Sequence, residues 1–201
     1  DALMLKLGLT GSIATGKSTV LKAFADLGIP TFSSDEAVHE LYRGAAVAPV
    51  EAAFPGVAVG GIIDRDKLSR QLIGHPGRLQ QLEAIVHPLV RARIRDFLSD
   101  AAVVGEPMAV VDIPLLFENG VDWGLDAIIV TVVDAAEQRR RALARPGMTV
   151  EKLEAILARQ LPQAEKVKRA TYIIDTSDTI EATREAVARL VQRLRQEAQA
   201  R

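Results

Sequence analysis

A chain of 201 residues is long enough to close one apolar core and carry a small lobe, so a single domain is expected over 1–201. An apolar fraction of 48% with 25% charged residues excludes a disordered or fibrous class, and a net charge of −1 supplies no field to gather a polyanion, which argues against nucleic acid as a partner. The absence of cysteine excludes a disulfide framework and a thiolate zinc site, and fits a reducing compartment.

In chain order, "LMLKLGL" from Leu3 to Leu9 reads as a buried strand. Lys6 interrupts it and glycines follow, so it lacks the basic and long apolar regions of a signal peptide, and no segment approaches the roughly 20 apolar residues of a membrane span. A cytoplasmic location is expected, with no membrane association. Asp1 to Leu3, ahead of Met4, read as a remnant.

"GSIATGKS", Gly11 to Ser18, fits G-x-x-x-x-G-K-[ST] and opens the helical run "STVLKAFADLG". Strand, glycine loop and helix N-terminus together turn backbone N–H groups onto phosphate oxygens. Lys17 then supplies charge to the β- and γ-phosphates, and the Ser18 hydroxyl suits Mg²⁺. The dinucleotide signature G-x-G-x-x-G is missing because Gly8, Gly11 and Gly16 have the wrong spacing.

"PTFS" at Pro30 to Ser33 reads as a second strand. Asp35, just beyond it, stands where a kinase needs a carboxylate to receive the acceptor's proton; Ser33 to Glu36 equally make a capping box with Asp35 in its first turn. Residues 36–106 are too long for a simple crossover and read as a helical, acceptor-binding insertion without strands. In it "PGVAVGGIIDR" reads as a loop, and "GHPGRLQQLEAIVHPLVRARIRDFL" as a helix with apolar residues at steps of three and four.

"MAVVDI" and "AIIVTVV" are further strands of the doubly buried, parallel kind, and Asp112 at the end of the first is placed to orient Mg²⁺ or, more plainly, to make a turn. Residues 137–169 hold nine Lys or Arg against four Glu, a balance of +5 that suits either a phosphate-covering lid or a solvated face. Arg141 and Arg145 form one i,i+4 pair there. "TYIID" makes a fifth strand, and a C-terminal helix follows with Asp178 and Glu181 as its capping box. The expected fold is α/β, a P-loop NTPase-type three-layer arrangement with a central parallel five-stranded sheet, a helical insertion and a helical lid.

Taken together, "LGLTGSIATGKSTV", "FADLGIPTFSSDEA", "GIIDRDKL", "LEAIVHPLV", "DIPLLFENG" and "QLPQAEKVKRATYIID" resemble the dephospho-coenzyme A kinase family over nearly the whole chain. The resemblance implies Mg²⁺-assisted transfer of the ATP γ-phosphoryl group to the ribose 3′-hydroxyl of dephospho-CoA, the last step of coenzyme A biosynthesis, with no obligate protein partner. It implies Asp35 as the catalytic acid–base group, aided by Lys17 and Arg141. The ATP loop would comprise Gly11, Ser12, Ile13, Ala14, Thr15, Gly16, Lys17, Ser18 and Thr19, with Arg141 and Arg145 from the lid. Thr10, Arg65, His87, Pro88, Leu115 and Glu118 would line the acceptor side, and Ser18 and Asp112 would serve the metal.

On the residues alone, His87 reads as a structural histidine and Arg65 as a surface residue. Ser12 and Ala14 stand where that family commonly has glycine, Ser33 replaces the first acid of a D-x-D pair, and Thr171 and Thr176 replace an Asp and an Asn on the adenine side. Two other readings share the loop: a kinase of another small acceptor such as a nucleoside, nucleotide or sugar, and a nucleotide-binding switch, although no guanine-reading N-K-x-D is present.

Overall fold

The computed structural model describes residues 3–200; Asp1 and Ala2, most of the expected remnant, lie outside the described residues. The chain runs through β1 (Leu5–Gly11), α1 (Lys17–Asp26), β2 (Thr31–Ser33), α2 (Ser34–Leu41), α3 (Val47–Ala53), β3 (Ala58–Val59), β4 (Ile62–Ile63), α4 (Arg65–Leu72) and α5 (Pro76–Val103). It continues through β5 (Met108–Asp112), β6 (Ala127–Val132), α6 (Ala135–Leu143), α7 (Val150–Arg159), α8 (Gln163–Arg169), β7 (Tyr172–Asp175) and α9 (Ile180–Gln199). These elements fall into two compact units, Asp1–Phe32 with Leu98–Arg201, and Ser33–Phe97.

The first unit is built on a five-stranded parallel sheet in the order β2-β5-β1-β6-β7. Leu7 and Leu9 alternate onto one face of β1, and the register brings Val110 of β5 and Ala127 of β6 beside Leu7, so one face presents a continuous apolar row. Val20, Ala23 and Phe24 of α1 and Val187, Leu190, Val191 and Leu194 of α9 close over that row. Every residue of β5 is buried, as a central parallel strand covered on both sides must be, whereas the edge strand β7 alternates between covered and exposed positions. Because the strands are parallel, β1, β5 and β6 deliver their carboxyl ends to the same edge, with Leu9 opposite Asp112 and Gly11 opposite Thr131.

In the second unit the expected loop at "PGVAVGGIIDR" is a hairpin instead: β3 and β4 pair antiparallel, Ala58 with Ile63 and Val59 with Ile62. Two-residue strands are too short to show an alternation in sequence, and the turn is made by Gly60 and Gly61, both at positive φ (61° and 80°) as the type I′ turn requires. The Glu51 carboxylate braces the hairpin's entry by accepting from the N–H groups of Gly56 (2.8 Å) and Ala58 (2.7 Å), and those hydrogen bonds hold its pKa below the ordinary value. The long helix expected from the apolar spacing is α5, with Pro88 inside it; proline has no N–H, so the Ala84 carbonyl loses its usual helical donor.

Two caps were readable from sequence with different results. The Ser33 hydroxyl accepts from the Glu36 N–H at 3.3 Å, as expected of the capping box that opens α2. At α9 the cap is one residue further along than expected: Thr179, not Asp178, accepts from the Ala182 N–H at 3.1 Å, while Asp178 accepts from the N–H of Thr179 itself. Among the described residues no helix is long and apolar enough to cross a membrane. Replacing Thr179 by Ala is expected to lower stability by about 1 kcal/mol in urea unfolding, and by more than Asp178→Ala, because only the former removes the acceptor of the first-turn Ala182 N–H.

Candidate active site

The loop between β1 and α1 is shaped by threonines that the sequence motif does not mention. A Cβ on Gly11 would stand 2.0 Å from the Thr131 hydroxyl oxygen and 2.6 Å from that of Thr15, so only glycine lets β6 approach so closely. Into that space the Thr15 hydroxyl donates to the Ser12 carbonyl (2.6 Å) and shares a hydrogen bond with the Thr131 hydroxyl (2.8 Å). From the end of β7, the Thr176 hydroxyl donates to the Thr15 carbonyl at 2.8 Å. Gly16 then turns through φ 77° to start α1, placing Lys17 and Ser18 in its first turn.

Ala14 also lies in the left-handed region, at φ 59°, where an L-residue bears about 1–2 kcal/mol of strain. Its methyl group is buried with Ala142 and Leu153, with Ile13, Leu143, Met148 and Leu157 around them, and this packing offsets the strain. The residues expected as a lid therefore rest on the loop itself: α6 and α7 share an apolar contact with it. They also grip its backbone. The Gln138 amide donates to the Ile13 carbonyl at 2.8 Å, and the Gln160 side-chain oxygen accepts from the Ile13 N–H at 3.1 Å.

Lys17 makes an ion pair with Asp112 at 2.8 Å, their side chains 18% and 8% exposed. The register explains it, since Asp112 ends β5 beside Leu9, two residues before the loop begins. Around Gly16, Ser18 and Thr19 opens a cavity of about 430 Å³ whose other walls include Arg140, Arg141, Arg145, Asp178 and Ile180. Arg141 donates to the Thr176 carbonyl (2.6 Å) and hydroxyl (3.3 Å), and its Nε meets Glu137 at 3.0 Å. Hydrogen bonds from Arg140 first and Arg141 second draw the Glu137 carboxyl down to about 2. Arg139 turns elsewhere, pairing with Glu154 of α7. Thr176, a departure from the resembled pattern, thus serves the phosphate loop with its hydroxyl and Arg141 with its carbonyl.

The remaining expected residues have these places. Ser12, Ala14 and Thr15 are buried within the loop, Ile13 is half-buried and Ser18 exposed. Thr10, the residue before Gly11, is fully buried with no hydrogen-bond partner on its hydroxyl. Leu115 adopts φ 54° in the turn after β5. Glu118 accepts from the Leu161 N–H (3.1 Å) and pairs with Lys166 (3.3 Å). In the other unit, Asp35 is exposed in the first turn of α2, Arg65 begins α4 with its guanidinium 5.1 Å from the Tyr42 ring centroid, His87 is half-buried and Pro88 exposed in α5. Thr131, Gln138, Gln160 and Lys166 escaped the sequence reading, because threonine and glutamine carry no spacing signal and the lysine sits in a generally basic segment.

Among the described residues no group of three or more His, Cys, Asp or Glu could hold a metal ion. Ser18 and Asp112 are hard oxygen donors of the kind Mg²⁺ takes, and the rest of such an ion's shell would have to arrive with a nucleotide's phosphates.

The family model of dephospho-CoA kinase matches residues 5–182. The chain belongs to the dephospho-CoA kinase family. It is 53% identical over 192 residues to the dephospho-CoA kinase of Rhizobium meliloti, covering 96% of this chain and 99% of that one. A solved structure from Thermus thermophilus superposes with TM-score 0.79 at 33% identity, covering 96% of this chain and 98% of that one. The dephospho-CoA kinase of Campylobacter jejuni superposes with TM-score 0.66 at 26% identity over 94% of this chain and 96% of its own. Membership makes the chain an ATP-dependent P-loop kinase, as the strand–loop–helix built on Gly11, Gly16 and Lys17 also indicates.

Two measurements test the geometry of the loop. Gln138→Glu replaces a donor by an acceptor facing the Ile13 carbonyl and is expected to cost ~1–3 kcal/mol in urea unfolding, whereas Gln160→Glu preserves the acceptor and should cost well under half of that. For Glu137 the direction is fixed by a folded pKa (about 2) below the ordinary 4.5: its ion pairs contribute fully above pH 4.5 and are lost as the pH falls through about 2. NMR titration should place the carboxyl's midpoint near 2, and Arg140→Ala should move it upward.

Proposed function

We propose that this kinase transfers the γ-phosphoryl group of ATP to the ribose 3′-hydroxyl of dephospho-CoA, giving CoA and ADP, in the cytoplasm where ATP is the donor. One observation carries the reading: the match to dephospho-CoA kinases runs through almost the whole chain, acceptor motifs included, and not through the phosphate loop alone. A kinase of another small acceptor would share the loop without the rest, and is disfavoured for that reason.

The donor side follows from the geometry described. Backbone N–H groups from Gly11 to Thr19 would wrap the β-phosphate, and Lys17 would exchange the Asp112 carboxylate for the bridging and γ-phosphate oxygens. Arg141 and Arg145, both on the cavity wall, would meet the charge that develops on the equatorial oxygens. Mg²⁺ fits Ser18 and Asp112, and when bound would neutralise charge between the β- and γ-phosphates.

Asp35 is assigned as the proton acceptor on its place directly after β2 and on the family motif around it. It would take the hydroxyl proton as the new P–O bond forms, while the bond to the β-phosphate breaks and ADP leaves with its electron pair. In a loose transition state that proton moves late, so orientation of the hydroxyl is its larger task. Thr10, Arg65, His87, Pro88, Leu115 and Glu118 are assigned to the acceptor side. Neither nucleic acid nor a protein partner enters this scheme.

The test is ADP release from Mg²⁺-ATP with and without dephospho-CoA, with the product's mass read for one added phosphoryl group. Acceptor-dependent release with that mass is expected; acceptor-independent hydrolysis would overturn the assignment. Asp35→Asn should lower kcat at least ~10²-fold while ATP binding stays nearly intact, Lys17→Ala should weaken both, and chelation of divalent cations should abolish turnover.

A further inference from the structure

Lys166 of α8 is only 1% exposed, yet its ammonium makes no hydrogen bond. Among the described residues its ion-pair partner is Glu118, at 3.3 Å. That carboxylate is itself divided: one oxygen is also taken by the Leu161 N–H at 3.1 Å, and the other is buried without a partner. An ammonium taken out of water is favourable only when its partner geometry is good and its donors are used, and here neither holds. Burial draws the Lys166 pKa below the ordinary lysine value, Glu118 acts to raise it, and the positive charge of Lys17 lowers it further, so the two lysines feel each other's field.

The fold says where this ammonium stands. Gln163, one turn earlier on α8, accepts from the Val133 N–H (3.1 Å) and donates to the Val133 carbonyl (3.2 Å), which fixes the helix start at the carboxyl end of β6. Glu118 follows β5. β5 and β6 are the two neighbours of β1, and β1 runs directly into the phosphate loop. Lys166 and Glu118 are therefore carried by segments that start beyond the carboxyl ends of the two strands flanking β1, the edge of an open parallel sheet at which ligands bind.

We propose that Lys166 is a second cation of the phosphate site, one whose ammonium turns from Glu118 to the γ-phosphoryl oxygens when ATP binds, while Lys17 serves the β,γ-bridge. The inference rests on the reading of the site as an ATP donor site. The lysine keeps its proton and acts by charge: the weak hold of Glu118 leaves its three N–H donors to be spent on the nucleotide.

The experiment compares binding of the β,γ-imido analogue of ATP and of ADP by calorimetry, for the intact chain and for Lys166→Met, Lys166→Gln and Lys166→Arg. The wild type should prefer the triphosphate analogue. The two uncharged variants should lose about 10- to 100-fold of that preference, the worth of a hydrogen bond to a charged group, with ADP affinity little changed and with Lys166→Arg restoring part of it. Should an uncharged variant fail to fold, the pair Lys166→Met with Glu118→Gln, which leaves no lone buried charge, is measured in its place and should show the same loss. Uncharged variants that keep the wild-type preference would overturn the proposal and make Lys166 a structural ion-pair member. Acceptor-dependent turnover of the wild type is read on the same preparation: its failure counts against the dephospho-CoA assignment, while the triphosphate preference, which needs no acceptor, still decides the lysine.

Discussion

The close approach of Gly11 to Thr131 is the constraint on which the donor site depends. Parallel pairing brings β6 beside β1 until no side chain fits between them at that point, and the hydroxyls of Thr15 and Thr131 fill the remaining gap. Beyond that contact Ala14 passes through a left-handed conformation and α1 begins with Lys17 paired to Asp112 at the end of β5. The ion pair with Asp112 follows from strand register, which sets Asp112 beside Leu9.

A second layer holds the loop from outside. α6 and α7 contribute Ala142 and Leu153 to its apolar underside and Gln138 and Gln160 to its polar edge, while β7 contributes Thr176. A region expected to move as a cover is thus physically continuous with the phosphate cradle. Arg141 stands at the junction, bonded to Thr176 on one side and Glu137 on the other. Movement of these helices would be transmitted to Ile13 through hydrogen bonds a few ångströms long, with no intermediary.

Much of this was legible in the residues. Apolar runs gave β1, β5 and β6, because a doubly covered parallel strand leaves an unbroken signal, while the short edge strands β2 and β7 were read from "PTFS" and "TYIID"; the phosphate loop announced itself through glycine spacing. The β3–β4 hairpin was missed because two residues cannot display a period, and the α9 cap was displaced by one because Asp178 and Thr179 are both good caps and only backbone geometry separates them. The threonine and glutamine bracing was illegible for a different reason: it joins residues more than a hundred positions apart, such as Thr15 with Thr131 and Ile13 with Gln160, and hydrogen-bonding side chains of this kind are common everywhere. Thr176 stands where the resembled family has an Asn on the adenine side, and its hydroxyl and carbonyl are both in use.

The pairing of Lys17 with Asp112 gives the cradle a built-in counterion. A lone lysine at a helix N-terminus would attract whatever small anion was abundant, and free phosphate or sulfate would compete with the nucleotide for the loop. With the carboxylate already seated at 2.8 Å, an entering anion must displace it, and a single phosphate group with few other contacts gains little from the exchange. A triphosphate that also engages the loop amides and the guanidinium-lined wall gains much more. With Lys17 and Asp112 in their proposed roles, the resting ion pair would act as a threshold, sorting anions by how many contacts they bring rather than by charge alone.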